Sequence, residues 1–155
     1  MKSHPTGELS AIEKEVIAEV RTLRAAPRDA LSAALLEDSA ALAHHFILAS
    51  HGTVQLRFSA IARELGVEIR TLERAFVRRY QRTLTQFQVE TRLAFSKWLL
   101  GLLPPTKISV VAEILGYVLV RDFNRFFKKH MLESPAEWGR RERERIAHLS
   151  STARK

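Results

Sequence analysis

Two sets of polar side chains in this chain stand at spacings that suit hydrogen-bond chemistry on a ligand surface. The first is Arg70, Glu73 and Arg74, with Val77 following. The second is Arg121, Asn124 and Arg125, with Lys128 following. Offsets of three, four and seven put each set on one face of a helix. An arginine fork can donate to both O6 and N7 of guanine, and asparagine can pair with N6 and N7 of adenine. Glu73 can accept from a cytosine amino group, or it can orient Arg70 or Arg74. Arg57, Arg78, Arg79, Arg82, Lys128, Lys129 and Arg140 are candidates for phosphate contacts, which position a protein on a duplex without reading its sequence. Each of these cations is equally at home as a solvated surface group.

The elements that carry the two sets are related. Residues 61–80 read IARELGVEIRTLERAFVRRY, and residues 111–130 read VAEILGYVLVRDFNRFFKKH. Aligned on Gly66 and Gly116, both have an Ala-Glu helix before the glycine and a basic, aromatic helix after it. Arg74 pairs with Arg125, Phe76 with Phe127, and Leu72 with Phe123, each within one position. Helix, tight turn and second helix is the helix-turn-helix plan, whose second helix enters the major groove.

Composition narrows the alternatives. The 155 residues carry a net charge of +8, and the basic excess lies from Arg63 onward. That balance suits a polyanionic partner. With no cysteine, disulfides, thiolate zinc sites and thiol nucleophiles are excluded. No Gly-rich phosphate loop or nucleophile elbow is present, so no enzyme activity and no cofactor are expected. His44, His45 and His51 lack the further donors a metal site needs, and ordinary surface or core histidines are expected. No apolar run reaches the roughly 18 residues of a membrane span, and no signal sequence opens the chain. A soluble cytoplasmic protein is expected.

Gly and Pro are scarce inside long 3.6-residue patterns, so the chain reads as all-α. Residues 8–25 carry the stripe Leu9, Ile12, Val16, Val20 and Leu23. A second helix covers 29–50, with a possible break near Asp38. Helices follow at 59–65 (on a Ser59 N-cap), 69–80, 84–102, 110–115 (on a Ser109 N-cap) and 120–130. Ser134-Pro135-Ala136-Glu137 opens a last helix as a capping box. Trp98 and Trp138 read as core residues. The tail from 148 to 155 is expected to be disordered.

These features together resemble the AraC/XylS family of bacterial transcription regulators. The resemblance rests on Ile61-Ala62-Arg63-Glu64-Leu65-Gly66-Val67, on Arg70-Thr71-Leu72-Glu73-Arg74-Ala75-Phe76, and on Arg92-Leu93 with Leu99-Leu100. It continues through Ile108, Val111-Ala112, Gly116-Tyr117, Phe123, Arg125, Phe127-Lys128, and Ser134-Pro135 with Trp138.

The resemblance implies two homeodomain-like helix-turn-helix subdomains, at about 58–80 and 109–130. A long central helix at about 84–102 joins them, in a DNA-binding domain over 39–147 with a helical extension over 1–38. It implies recognition helices in successive major grooves of double-stranded DNA. If the bridge departs from the DNA repeat, the duplex must bend, at a cost of order 1–6 kcal/mol. It also places the family's base-reading positions on Arg70, Glu73 and Arg74, and it implies activation by contact with RNA polymerase at the bacterial nucleoid. The sequence departs from the family pattern at Glu68 and Leu84, at Val118-Leu119-Val120, and at Gln81 and Leu132, where a glycine is usual. The expected protein is a stand-alone DNA-binding regulator with no small-molecule pocket. It would be a monomer, with the stripe of the first helix packed on the DNA-binding unit, or a weak dimer through that helix. The alternative is a protein-interaction module that keeps the fold and has lost specific DNA reading.

Overall fold

The computed structural model describes residues 8–25 and 38–154. Within them the chain is all-α, as expected, with eight helices. These are α1 (Ala11–Ala25), α2 (Ser39–Ala49), α3 (Phe58–Leu65), α4 (Ile69–Tyr80), α5 (Leu84–Leu100), α6 (Ile108–Ile114), α7 (Val120–Met131) and α8 (Pro135–Thr152). The expected start of the second helix, at 29–37, lies outside the described residues. Two compact units divide the chain, Met1–Val89 and Glu90–Lys155, with the boundary inside α5.

In the first unit, Val16 and Val20 of α1 are buried, with Ile12 and Leu23 packed beside them. They share a core with Leu42, Phe46, Ile47, Ile61, Leu72, Phe76 and Leu84. The apolar stripe of α1 is therefore covered by its own chain, through packing against α3, and α1 forms a layer of this unit. Asp38 caps α2 by accepting from Ala41 N at 3.0 Å. Gly66 makes the turn in the left-handed region, φ 70°. Gln88, on the first turns of α5, is buried and donates to the carbonyls of Thr53 and Leu56 at 2.8 and 3.1 Å. It ties the 50–57 connection to the helix.

Burial also reaches one charged group. The Glu13 carboxylate is 1% exposed and takes a two-point bond from Arg57: Nε to Oε1 at 2.7 Å and Nη2 to Oε2 at 2.8 Å. It also accepts from the backbone N–H of Ser10 at 2.9 Å and of Arg57 at 3.0 Å. This contact explains a correction. Ser59 was expected to cap α3, but Arg57 stands at the cap position with no side-chain cap bond. The Glu13 carboxylate holds the Arg57 backbone extended and fixes the helix start there. Likewise α6 is capped by Lys107 rather than Ser109, and makes no side-chain cap bond; its first residue, Ile108, packs on the second core.

The second unit is built on Leu99, Leu100, Val111, Ala112, Leu115, Phe123, Phe127 and Trp138. Its capping box forms as read: Ser134 Oγ accepts from Glu137 N at 3.2 Å and Glu137 Oε2 accepts from Ser134 N at 3.0 Å. At Gly139 an added Cβ would meet Leu100 O at 3.0 Å, so glycine lets α8 approach α5 closely. Trp98 corrects the sequence reading. It is 58% exposed and stacks on Phe95 at 5.4 Å, because Leu99 and Leu100 take the inward face of α5. The tail is a further correction: residues 148–152, expected to be disordered, are helical. Helix α8 runs to Thr152, and Ser150, Ser151 and Thr152 hydroxyls donate to the carbonyls of Ile146 and His148.

Both recognition-type helices end on a non-glycine residue in the left-handed region, Gln81 at φ 58° and Leu132 at φ 62°. Left-handed backbone strains a residue with a Cβ. Gln81→Gly and Leu132→Gly should each raise the unfolding free energy by about 0.5–1 kcal/mol in urea titrations.

The Glu13 pair gives a pH-dependent expectation. Burial pushes its carboxyl upward, but the Arg57 bonds and the backbone N–H groups outweigh this and hold it below 4.5. The stability it contributes is therefore complete above that value and is lost as the pH falls below it. Glu13→Gln should cost about 2 kcal/mol at neutral pH and flatten the acid limb of a stability profile. Arg57 is about half exposed, which keeps the loss below that of a fully buried pair.

Candidate nucleic-acid interface

The direction in which α4 presents its side chains follows from Leu72 and Phe76. Both are fully buried, and at i and i+4 they pin one face of the helix inward. Phe76 and Tyr80 lie 4.7 Å apart between ring centres. The His44 ring stacks on Tyr80 and Phe87 at 4.4 and 4.5 Å. Burial, with His45 next in effect, lowers the His44 pKa from 6.5, as suits a neutral ring in an aromatic stack. No cluster of metal-ligating side chains occurs among the described residues.

With that face fixed, Arg70, Glu73, Arg74, Val77 and Arg78 are exposed together on the other. Arg70, Arg74 and Arg78 have no ion pair among the described residues. The other expected phosphate contacts of this unit differ. Arg57 is held by Glu13 and also donates to the Glu8 carbonyl at 3.0 Å. Arg79 pairs with Asp38 and lies over the Tyr80 ring. Arg82 is exposed just past the helix.

Helix α7 repeats the arrangement. Phe123 and Phe127 are fully buried, and Arg121, Asn124, Arg125, Lys128 and Lys129 are exposed. Arg121 has a carboxylate near it, Asp122 at 4.0 Å. Arg140, on α8, is exposed.

The N-terminal ends of α4 and α7 differ. Two residues separate Gly66 from α4, and three separate Gly116 from α7. This one-residue insertion accounts for the shifted matches of Leu72 with Phe123, Arg74 with Arg125 and Phe76 with Phe127. Glu68 stands at the cap of α4 and Leu119 at the cap of α7, neither with a side-chain cap bond. Beside Leu119, Val118 is 79% exposed and Val120 37% exposed.

Sequence reasoning noted Arg92 only as a match in the family pattern. Its role is structural. The side chain is buried, with its guanidinium 4.8 Å from the Phe126 ring centre and 5.8 Å from that of Tyr117. It donates to the Tyr117 hydroxyl at 3.2 Å. Burial raises the Tyr117 pKa above 10, although Arg92 opposes this. Arg92 thus binds α5 to the turn and to the back of α7. A basic residue beside two aromatics at i and i+9 is the only sequence signal for it.

A family profile for a helix-turn-helix domain matches residues 61–141, more than half of the chain. The chain belongs to the AraC-type helix-turn-helix family, whose members are DNA-binding transcription regulators. Solved structures of similar fold include the C-terminal domain of AraT, a response regulator from Geobacillus stearothermophilus. It is 24% identical with a TM-score of 0.60, over 66% of this chain and 84% of that one. Another is the C-terminal domain of the two-component response regulator yesN from Fusobacterium nucleatum, 23% identical with a TM-score of 0.57, over 63% and 94%. A third is a probable AraC family transcriptional regulator from Rhodopseudomonas palustris, 22% identical with a TM-score of 0.52, over 65% and 94%. Among curated proteins no match is found. No helix among the described residues is long and apolar enough to cross a membrane.

Arg92→Lys should keep the charge but lose the planar stacking. The expected loss is about 1–2 kcal/mol of unfolding free energy in urea titrations. An unchanged midpoint would show that the guanidinium does not hold α7 in place.

Proposed function

We propose that the chain is a sequence-specific transcription regulator that inserts α4 and α7 into the major grooves of double-stranded DNA. The observation that carries this reading is the division of α4 into a buried Leu72–Phe76 face and an exposed face of Arg70, Glu73 and Arg74. Family membership supplies the class of partner. Arg70 and Arg74 read bases, with guanine as the natural match for an arginine fork. Glu73 accepts from a cytosine amino group or orients its neighbours. Arg121, Asn124 and Arg125 do the corresponding work on α7. Arg78, Arg82, Lys128, Lys129 and Arg140 meet phosphates and set register without reading sequence. Arg57 and Arg79 contribute less, because each already holds a carboxylate of its own chain. Contact with RNA polymerase would convert binding into activation, and the bacterial cytoplasm is the setting in which such a protein meets its operator.

A second reading, a protein-interaction module, draws on the exposed Val118, Leu119 and Val120. One substitution separates the two. Arg74→Ala should weaken binding to a selected duplex by about 1–3 kcal/mol and relax preference at one base pair. Binding to duplexes altered at all other positions should keep its order of preference. A uniform loss over all sequences would make Arg74 a phosphate contact, and no sequence preference in the parent protein would favour the second reading.

A further inference from the structure

The N-terminal end of α7 breaks two local rules at once. Its cap residue, Leu119, cannot accept from the first-turn N–H groups, where Ser, Thr, Asp or Asn would. Val118 is 79% exposed, and Leu119 and Val120 keep 42 and 37% of their surface exposed, so this end shows apolar surface that adds nothing to folding. Each rule taken alone disfavours these residues here. Departures of this kind concentrate where function, rather than stability, sets the residue.

Position identifies the occupant. In a helix-turn-helix, the N-terminal residues of the recognition helix contact base edges. The apolar lip opens directly onto Arg121, Asn124, Arg125 and Lys128, the exposed cationic and amide face of the same helix. A surface continuous with that face lies over a polyanion. The apolar group a major groove offers at its floor is the C5 methyl of thymine. The corresponding end of α4 offers a carboxylate, Glu68, and a half-buried Ile69, so the two helices differ in chemistry here.

We propose that Val118 and Val120 form a methyl-reading lip, by which α7 selects thymine, or another C5-methylated pyrimidine, through apolar contact rather than hydrogen bonding. This rests on the proposed entry of α7 into the major groove.

The test uses the full chain and the duplex that it recovers from a random pool. Each thymine is replaced singly by deoxyuridine, which removes the C5 methyl and leaves the pairing edge intact. Arg125→Ala, measured on the same duplexes, marks which half of the site α7 occupies. In that half, one or two replacements should weaken binding about three- to fivefold, the worth of one methyl moved out of water. Val118→Ala with Val120→Ala should abolish the difference between thymine and uracil there while leaving the α4 half unchanged. Circular dichroism checks that this exposed pair can be replaced without unfolding. Four results would overturn the inference: every replacement in the α7 half within experimental error of thymine, a discrimination that survives in the double variant, a recovered α7 half with no thymine, or a lip that instead captures protein with no effect on DNA. If the pool yields a site and Arg74→Ala relaxes it, the general reading stands even when the lip fails. If no site is recovered, both fall together.

Discussion

The arrangement depends on two pairs of buried side chains, Leu72 with Phe76 and Phe123 with Phe127. Each pair lies one helical turn apart, so each fixes the rotation of its helix about its own axis. Which side chains each helix presents outward follows from that rotation. Turning α4 by one residue would bring Glu73 and Val77 toward the core and expose Leu72. The surrounding packing secures each pair: His44, Tyr80 and Phe87 stack around Phe76, while Arg92 braces Phe126 and Tyr117 on the other unit. In both cases a planar polar group, an imidazole or a guanidinium, does what an aliphatic side chain could not. It fills space between aromatics and keeps a hydrogen bond or a stacking direction.

The first unit has a feature that the doubled plan alone would not require. Helix α1 adds Val16 and Val20 to the core and anchors Arg57 through Glu13. A buried carboxylate is tolerable only with its acceptors filled, and here two guanidinium donors and two backbone N–H groups fill them. The same contact sets where α3 begins. It also engages an arginine that would otherwise stand among the exposed cations of this unit.

Much of this was legible in the sequence because it is periodic. The stripe of α1, the inward Leu72 and Phe76, the turns at Gly66 and Gly116 and the capping box at Ser134 are local patterns with local causes. The left-handed Gln81 and Leu132 were legible as places where glycine is usual. What was not legible depends on distant partners. Ser59 and Ser109 look like caps, but tertiary contacts start those helices earlier. Trp98 looks like core by residue type, yet its neighbours Leu99 and Leu100 take the inward positions. Glu13 lies on the flank of the apolar stripe of α1, three residues before Val16, and only the return of Arg57, 44 positions later, allows a carboxylate to be buried there. Gln88 and Arg92 belong to the same class. The extra residue after Gly116 was visible only as a misfit between two aligned segments. Its consequence, an uncapped apolar lip before α7, needed the exposure of Val118 to be seen.

The central claim is that the exposed cations on α4 and α7 read sequence rather than merely meet charge. Titrating salt against the selected duplex and a scrambled duplex of equal length and composition tests it most directly. Phosphate contacts make both affinities fall with salt, whereas base contacts leave a difference between them. The account predicts that preference for the selected duplex persists at about 150 mM salt, with the two lines falling in parallel. Affinities that converge onto one line as salt rises would contradict it.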